Sequence, residues 1–137
     1  MLYKMLNHKR NKSKHKGIKG ILYNFVYSWY GLKYAYLNEK SMWIHAILST
    51  ITIILGLFLK LRPMEWLIIL IVLGAILAIE LLNTAIEAVV VMITIKYNEL
   101  AKIAKDCGSA ATFVCSLIGF ITILAIFVPK IIDLINK

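Results

Sequence analysis

The stretch A-I-E-L-L-N-T-A-I-E-A-V-V, residues 78–90, places two carboxylates and an amide inside a hydrophobic run. In a helix, Glu80, Asn83, Thr84 and Glu87 stand at i, i+3, i+4 and i+7, a spacing that stacks them along one face. From Trp66 to Ile79 the chain is apolar throughout. The polar seam therefore begins only near the end of a segment long enough to cross a hydrocarbon core of about 30 Å.

The rest of the chain fits that solvent. Its 137 residues are 61% hydrophobic, with a mean hydropathy of +0.79, more apolar side chain than a soluble domain of this size can bury. Three runs are long enough to span, at about residues 42–59, 64–84 and 110–128. We expect an all-α integral membrane protein whose transmembrane helices cover about residues 42–60, 64–95 and 101–130. With short connections between them, they form one membrane domain over residues 18–137.

Residues 1–17 are basic and polar and are expected to be disordered. From Ile18, a 3.6-residue stripe of Ile21, Leu22, Phe25, Trp29, Leu32 and Tyr36 predicts an amphipathic surface helix over about residues 18–38, lying in the interface. A cleavable signal peptide is not expected, because the first long apolar run starts some forty residues in. The formal net charge of +9 is concentrated at Lys4, Lys9, Arg10, Lys12, Lys14, Lys16 and Lys19. Beside a membrane domain such a cluster attracts anionic lipid and marks the cytoplasmic side, so nucleic acid is not expected as a partner.

Lys and Arg number nine in residues 1–40, two in the connection near residue 60, three near residues 96–106 and two in the C-terminal tail. With three spans, that asymmetry predicts a cytoplasmic N-terminus and an external C-terminus. Glu80 then falls just inside the inner edge of the hydrocarbon and Glu87 one or two turns beyond it. Glu39, Lys102, Lys105 and Asp106 belong to the same cytoplasmic plane. Cys107 and Cys115 are eight positions apart in one helix, about 12 Å of rise, and cannot bridge.

Three readings of the seam stay open on the residues alone. Glu80 and Glu87 pair with Lys96, Lys102 or Lys105; or they couple ions in a small transporter, for which the second span offers no polar continuation; or they work on phosphate. Carboxylates with room for water suit Mg²⁺ shared with substrate phosphates, a lysine neutralises a transferred phosphoryl group, and a carboxylate near the apolar edge accepts a hydroxyl proton. No G-x-x-x-x-G-K-[ST] loop is present.

E-L-L-N-T-A-I-E-A-V-V (80–90) followed by L-A-K-I-A-K-D-C-G-S-A-A (100–111) closely resembles the signature of the small bacterial prokaryotic diacylglycerol kinase and undecaprenol kinase family. Y-S-W-Y-G-L-K (27–33) and N-E (38–39) extend the similarity from about Ile18 to Pro129. The resemblance implies a homotrimer of subunits with three transmembrane helices and a surface helix, active sites shared between subunits, in the bacterial cytoplasmic membrane. It implies ATP as co-substrate with Mg²⁺, and a lipid alcohol as acceptor. On the same basis Glu80 matches the general base, Glu39 and Glu87 the metal-bridging carboxylates that also face ATP, Lys105 and Asp106 the nucleotide-contacting pair, and Tyr27 an ATP contact.

Asn83 orients the glutamates or makes an interhelical packing bond, and Ser109 lies on a small-residue face where close helix approach and substrate contact are both open. His45 is a substrate-side candidate or a polar residue bonded to a neighbouring helix. The chain departs from the pattern at Val91, where many members are acidic, and at Gly20, where an arginine is common and Lys19 stands beside it. His45, P-M-E-W-L-I-I-L and I-F-V-P-K-I resemble the undecaprenol branch, N-E and G-S-A-A the diacylglycerol branch. Weighed together they favour undecaprenol.

Overall fold

The computed structural model describes residues 18–136, so the basic segment expected over residues 1–17 lies outside the described residues. Four helices follow one another: α1 Ile18–Asn38, α2 Lys40–Phe58, α3 Pro63–Ile93 and α4 Glu99–Ile135. The described residues contain no strand. α2, α3 and α4 are each long and apolar enough to cross a membrane, and α1 is not among them. Most large apolar side chains of the three spans face outward, among them Ile47, Ile54, Leu70, Ile71, Phe113 and Phe120, as suits a chain dissolved in hydrocarbon.

The chain divides into two compact units, one ending at Tyr34 and one beginning at Ala35. Within the first, Ile21, Leu22, Phe25 and Trp29 of the expected stripe are exposed. Tyr23 and Tyr27 stack at 6.3 Å between ring centroids.

The second unit opens with a one-residue break at Glu39, which has extended backbone and whose N–H donates to the Ala35 carbonyl at 2.8 Å. Trp43 Nε1 donates to the Tyr36 carbonyl at 2.8 Å, tying the start of α2 to the residues before it. At the other end of α2, Leu59–Arg62 turn the chain tightly. Lys60 takes a left-handed backbone conformation (φ 51°), and Leu61 N–H returns to the Gly56 carbonyl at 3.1 Å. Gly56 is needed there, since a Cβ would lie 2.9 Å from both the Leu61 and the Trp66 side chains.

α3 starts on Pro63, whose missing N–H costs nothing in the first turn. Glu65 reaches back to accept the Arg62 N–H at 2.7 Å and pairs with the Arg62 guanidinium at 2.9 Å. It also takes Lys130 of α4 at 3.0 Å, so the start of α3 is pinned to the end of α4. Leu61, Ile69 and Phe127 form the buried core beside this clamp, with Trp66, Leu73, Ile123 and Ile126 packed against it.

From there α3 and α4 run antiparallel. A Cβ on Gly119 would meet Ile76 at 2.7 Å and Val72 at 3.1 Å, and further along Gly108 lies against Asn83. Small residues on α4 thus set the approach of the two helices. α4 begins on Asn98, whose side chain accepts the Ala101 N–H at 3.1 Å. It continues through Pro129 to Ile135, past the end expected near residue 130. A proline inside a helix removes one backbone bond without ending the helix when neighbouring packing holds it, and Lys130 supplies such a tie.

Because the seam tolerates no volume at Gly119, Gly119→Leu should destabilise the protein by about 1–3 kcal/mol. Denaturant unfolding in detergent micelles checks this, and an unchanged midpoint would contradict the close approach.

Candidate active site

Glu80 is 4% exposed, the most deeply buried charged side chain among the described residues. Among the described residues it meets no lysine. Its Oε1 lies 3.0 Å from His45 Nε2, and its Oε2 accepts from Ser41 Oγ at 3.2 Å. When Glu80 is ionised it can only accept, and His45 Nε2 is then the donor. Ser41 and His45 are one helical turn apart on α2, which is why both reach the same carboxylate. Thr84 Oγ1 donates to the Glu80 carbonyl at 3.0 Å and keeps its hydroxyl satisfied within α3.

Two turns on, Glu87 stands in a different setting, with its side chain 30% exposed. Lys105 Nζ of α4 lies 3.3 Å from one oxygen, and Asn83 Nδ2 lies 3.5 Å from the other. Asn83 Oδ1 is buried with no hydrogen-bond partner and rests against Gly108, in space that a Cβ would claim. Asn83 thus fills the α3–α4 seam and points its amide N–H at Glu87 of its own helix, without making an interhelical hydrogen bond among the described residues.

The two glutamates also differ in depth. Measured along α3 from Glu65, Glu80 lies about 22 Å away and Glu87 about 33 Å away, so a core of about 30 Å that begins at the Glu65 clamp ends between them.

The remaining sequence candidates are distributed as follows. Asp106 pairs with Lys102 at 2.8 Å, both exposed, rather than with Lys105. Glu39 is half-buried at the start of α2 and its side chain does not cap that helix. Ser109 is exposed, and its carbonyl accepts from Thr112 Oγ1 at 2.8 Å. Tyr27 belongs to the other compact unit, and Val91 is exposed near the end of α3. The structure thus joins Glu80 to His45, and Glu87 to Asn83 and Lys105. Ser41 was not anticipated, although its i, i+4 spacing with His45 was a usable signal. Cys107 and Cys115 are free thiols on α4.

The chemistry open to this set is narrower than the sequence left it. Glu87 has the lysine partner that simple ion pairing requires, but Glu80 has none among the described residues. Among the described residues, the one further buried polar residue besides Glu80 and Thr84 is Thr52, whose hydroxyl donates to the Leu48 carbonyl of its own helix. No polar path therefore crosses the described bundle, as a transporter would need. No group of three or more His, Cys, Asp or Glu among the described residues could hold a metal ion. A site that borrows its other oxygens from phosphate needs only one or two carboxylates, which the half-buried Glu87 fits.

Residues 26–127 match the prokaryotic diacylglycerol kinase family. The chain is 38% identical over 108 residues to the undecaprenol kinase of Bacillus subtilis (strain 168), an overlap of 79% of this chain and 88% of that protein. It is 36% identical over 101 residues to the diacylglycerol kinase of Haemophilus influenzae, covering 74% and 86% of the two chains. To the diacylglycerol kinase of Escherichia coli (strain K12) it is 32% identical over 96 residues, covering 70% and 79%.

If Glu87 and Lys105 serve a ligand rather than the fold, their mutual coupling is small. A double-mutant cycle of Glu87→Gln and Lys105→Met, read by unfolding in detergent, should give about 0.2–1 kcal/mol, as for other partly exposed pairs. A coupling above about 2 kcal/mol would make the pair a structural tie instead.

Proposed function

As the chain belongs to the prokaryotic diacylglycerol kinase family, we propose that this membrane kinase transfers the γ-phosphoryl group of Mg·ATP to a lipid alcohol, undecaprenol in preference to diacylglycerol. The observation that carries this reading is the contrast between two glutamates on one helix. Glu80 is sealed from water, and Glu87, about 10 Å further along the axis, is open to it. A lipid hydroxyl confined to the hydrocarbon reaches the first, and a nucleotide confined to water reaches the second.

In this reading Glu80 accepts the hydroxyl proton as the alcohol oxygen attacks the γ-phosphorus, and the bond to the bridging oxygen breaks to release ADP. Glu87, with Glu39, is the carboxylate set for Mg²⁺, which would supply positive charge against the phosphates. Lys105 stands 3.3 Å from Glu87, where it can share that neutralisation. Tyr27 and Asp106 are nucleotide contacts, Asn83 holds Glu87 in orientation, and His45 and Ser109 are on the substrate side. The undecaprenol preference is supported by the 38% identity to the Bacillus subtilis undecaprenol kinase.

The assembly is a homotrimer with active sites shared between subunits, as the family resemblance implies. It lies in the bacterial cytoplasmic membrane, with α1 in the interface and the N-terminus in the cytoplasm, as the Lys and Arg asymmetry supports.

Purified protein in mixed micelles should consume Mg·ATP only when a lipid alcohol is supplied, and faster with undecaprenol than with diacylglycerol. Phosphorylation of diacylglycerol alone would reverse the substrate assignment, and of neither would remove the reading. Glu80→Gln should lower turnover by roughly 10²–10⁴-fold while nucleotide binding persists. Glu87→Gln should instead raise the Mg²⁺ concentration needed for half-maximal rate.

A further inference from the structure

The reading above treats His45 as a substrate-side residue, but its geometry assigns it elsewhere. We propose that Ser41 and His45 form a two-donor clamp on the Glu80 carboxylate, with His45 the positioning residue that aims and sustains the base. The proposal rests on Glu80 being that base.

The clamp answers a problem posed by burial. At 4% exposure, an ionised Glu80 cannot draw its hydrogen bonds from water, and a charged carboxylate in an apolar setting is strongly disfavoured unless donors are supplied. No lysine or arginine among the described residues pairs with it. Its partners are an imidazole at 3.0 Å and a hydroxyl at 3.2 Å, one on each oxygen. The difference matters for a base. A lysine would set a fixed positive charge beside the group that has to take up a proton, whereas a neutral imidazole and a hydroxyl satisfy and orient its oxygens without one. Each carboxylate oxygen has two lone pairs, so one donor apiece still leaves a lone pair to receive the proton.

Local structure supports a positioning role. Met42, next to Ser41 and three residues before His45, is 0% exposed, which anchors this turn of α2 in the bundle. On the other side, Thr84 bonds the Glu80 carbonyl within α3. Both ends of the contact are therefore set by packing rather than by the ligand. The His45 Nε2 that faces the site is already committed to Glu80, so that atom is not available to a substrate.

The test compares His45→Ala, His45→Gln, Ser41→Ala and Glu80→Gln in the full-length protein, assayed in micelles with undecaprenol and diacylglycerol as acceptors. Gln carries an amide N–H where the imidazole has Nε2–H. Loss of one bond to a charged group predicts that His45→Ala lowers kcat by about 10- to 100-fold, with the KM for Mg·ATP and for the lipid changed by less than about twofold. His45→Gln should recover most of that loss. Ser41→Ala, which keeps the imidazole donor and perturbs packing least, should lower kcat by about 3- to 10-fold.

A full rate for both His45→Ala and Ser41→Ala overturns the clamp. So does a His45→Gln variant as slow as His45→Ala, or a loss that falls on the KM for the lipid, which would return His45 to substrate contact. An active Glu80→Gln would instead remove the base assignment itself, whereas an inactive Glu80→Gln beside a full-rate His45→Ala would remove the clamp alone.

Discussion

An ionisable side chain at the rim of a hydrocarbon layer has to find its hydrogen bonds inside the protein, and Glu80 finds them on another helix. That requirement couples function to fold. α2 has to present Ser41 and His45 at the depth where α3 presents Glu80, so the relative height of the two helices is set by a polar contact and not by apolar packing alone. The turn at Leu59–Arg62 sets the same height from the opposite end, through Gly56, Leu61 and Trp66.

The seam between α3 and α4 carries a similar division of labour along its length. At one end Glu65 gathers Arg62 and Lys130 into a fixed cluster beside the Leu61–Ile69–Phe127 core. In the middle Gly119 admits Ile76 and Val72. At the far end Gly108 admits Asn83, and the polar chemistry begins with Glu87 and Lys105. Rigid packing at one end holds the site at the other within a narrow range of separations. The buried, unpartnered Asn83 Oδ1 is a local expense of that closeness.

Much of this was legible in the residues. The helical spacing of Glu80, Asn83, Thr84 and Glu87 announced a polar face, and the apolar runs announced three spans, because hydropathy and helical period are properties of a single segment. Contacts between segments were less accessible. Pairing of Glu87 with a lysine was one of the open readings, but nothing in the sequence selected Lys105 over Lys96 or Lys102. His45 bonded to a neighbouring helix was foreseen as a possibility without its partner. Ser41 was missed because a lone serine in a hydrophobic helix more commonly bonds its own backbone, as Thr50 and Thr52 do. The continuation of α4 beyond residue 130 to Ile135 escaped for a related reason, since the Glu65–Lys130 tie beside it joins residues far apart in the chain.

The brevity of the Leu59–Arg62 connection constrains how its charges are presented. With only Leu59–Arg62 between them, α2 and α3 form a helical hairpin whose tip carries Lys60 and Arg62, so the far ends of both helices face the same side of any layer they cross. Glu65, bonded to Arg62 within a single turn, offsets one of the two positive charges, which lowers the net charge that this tip carries.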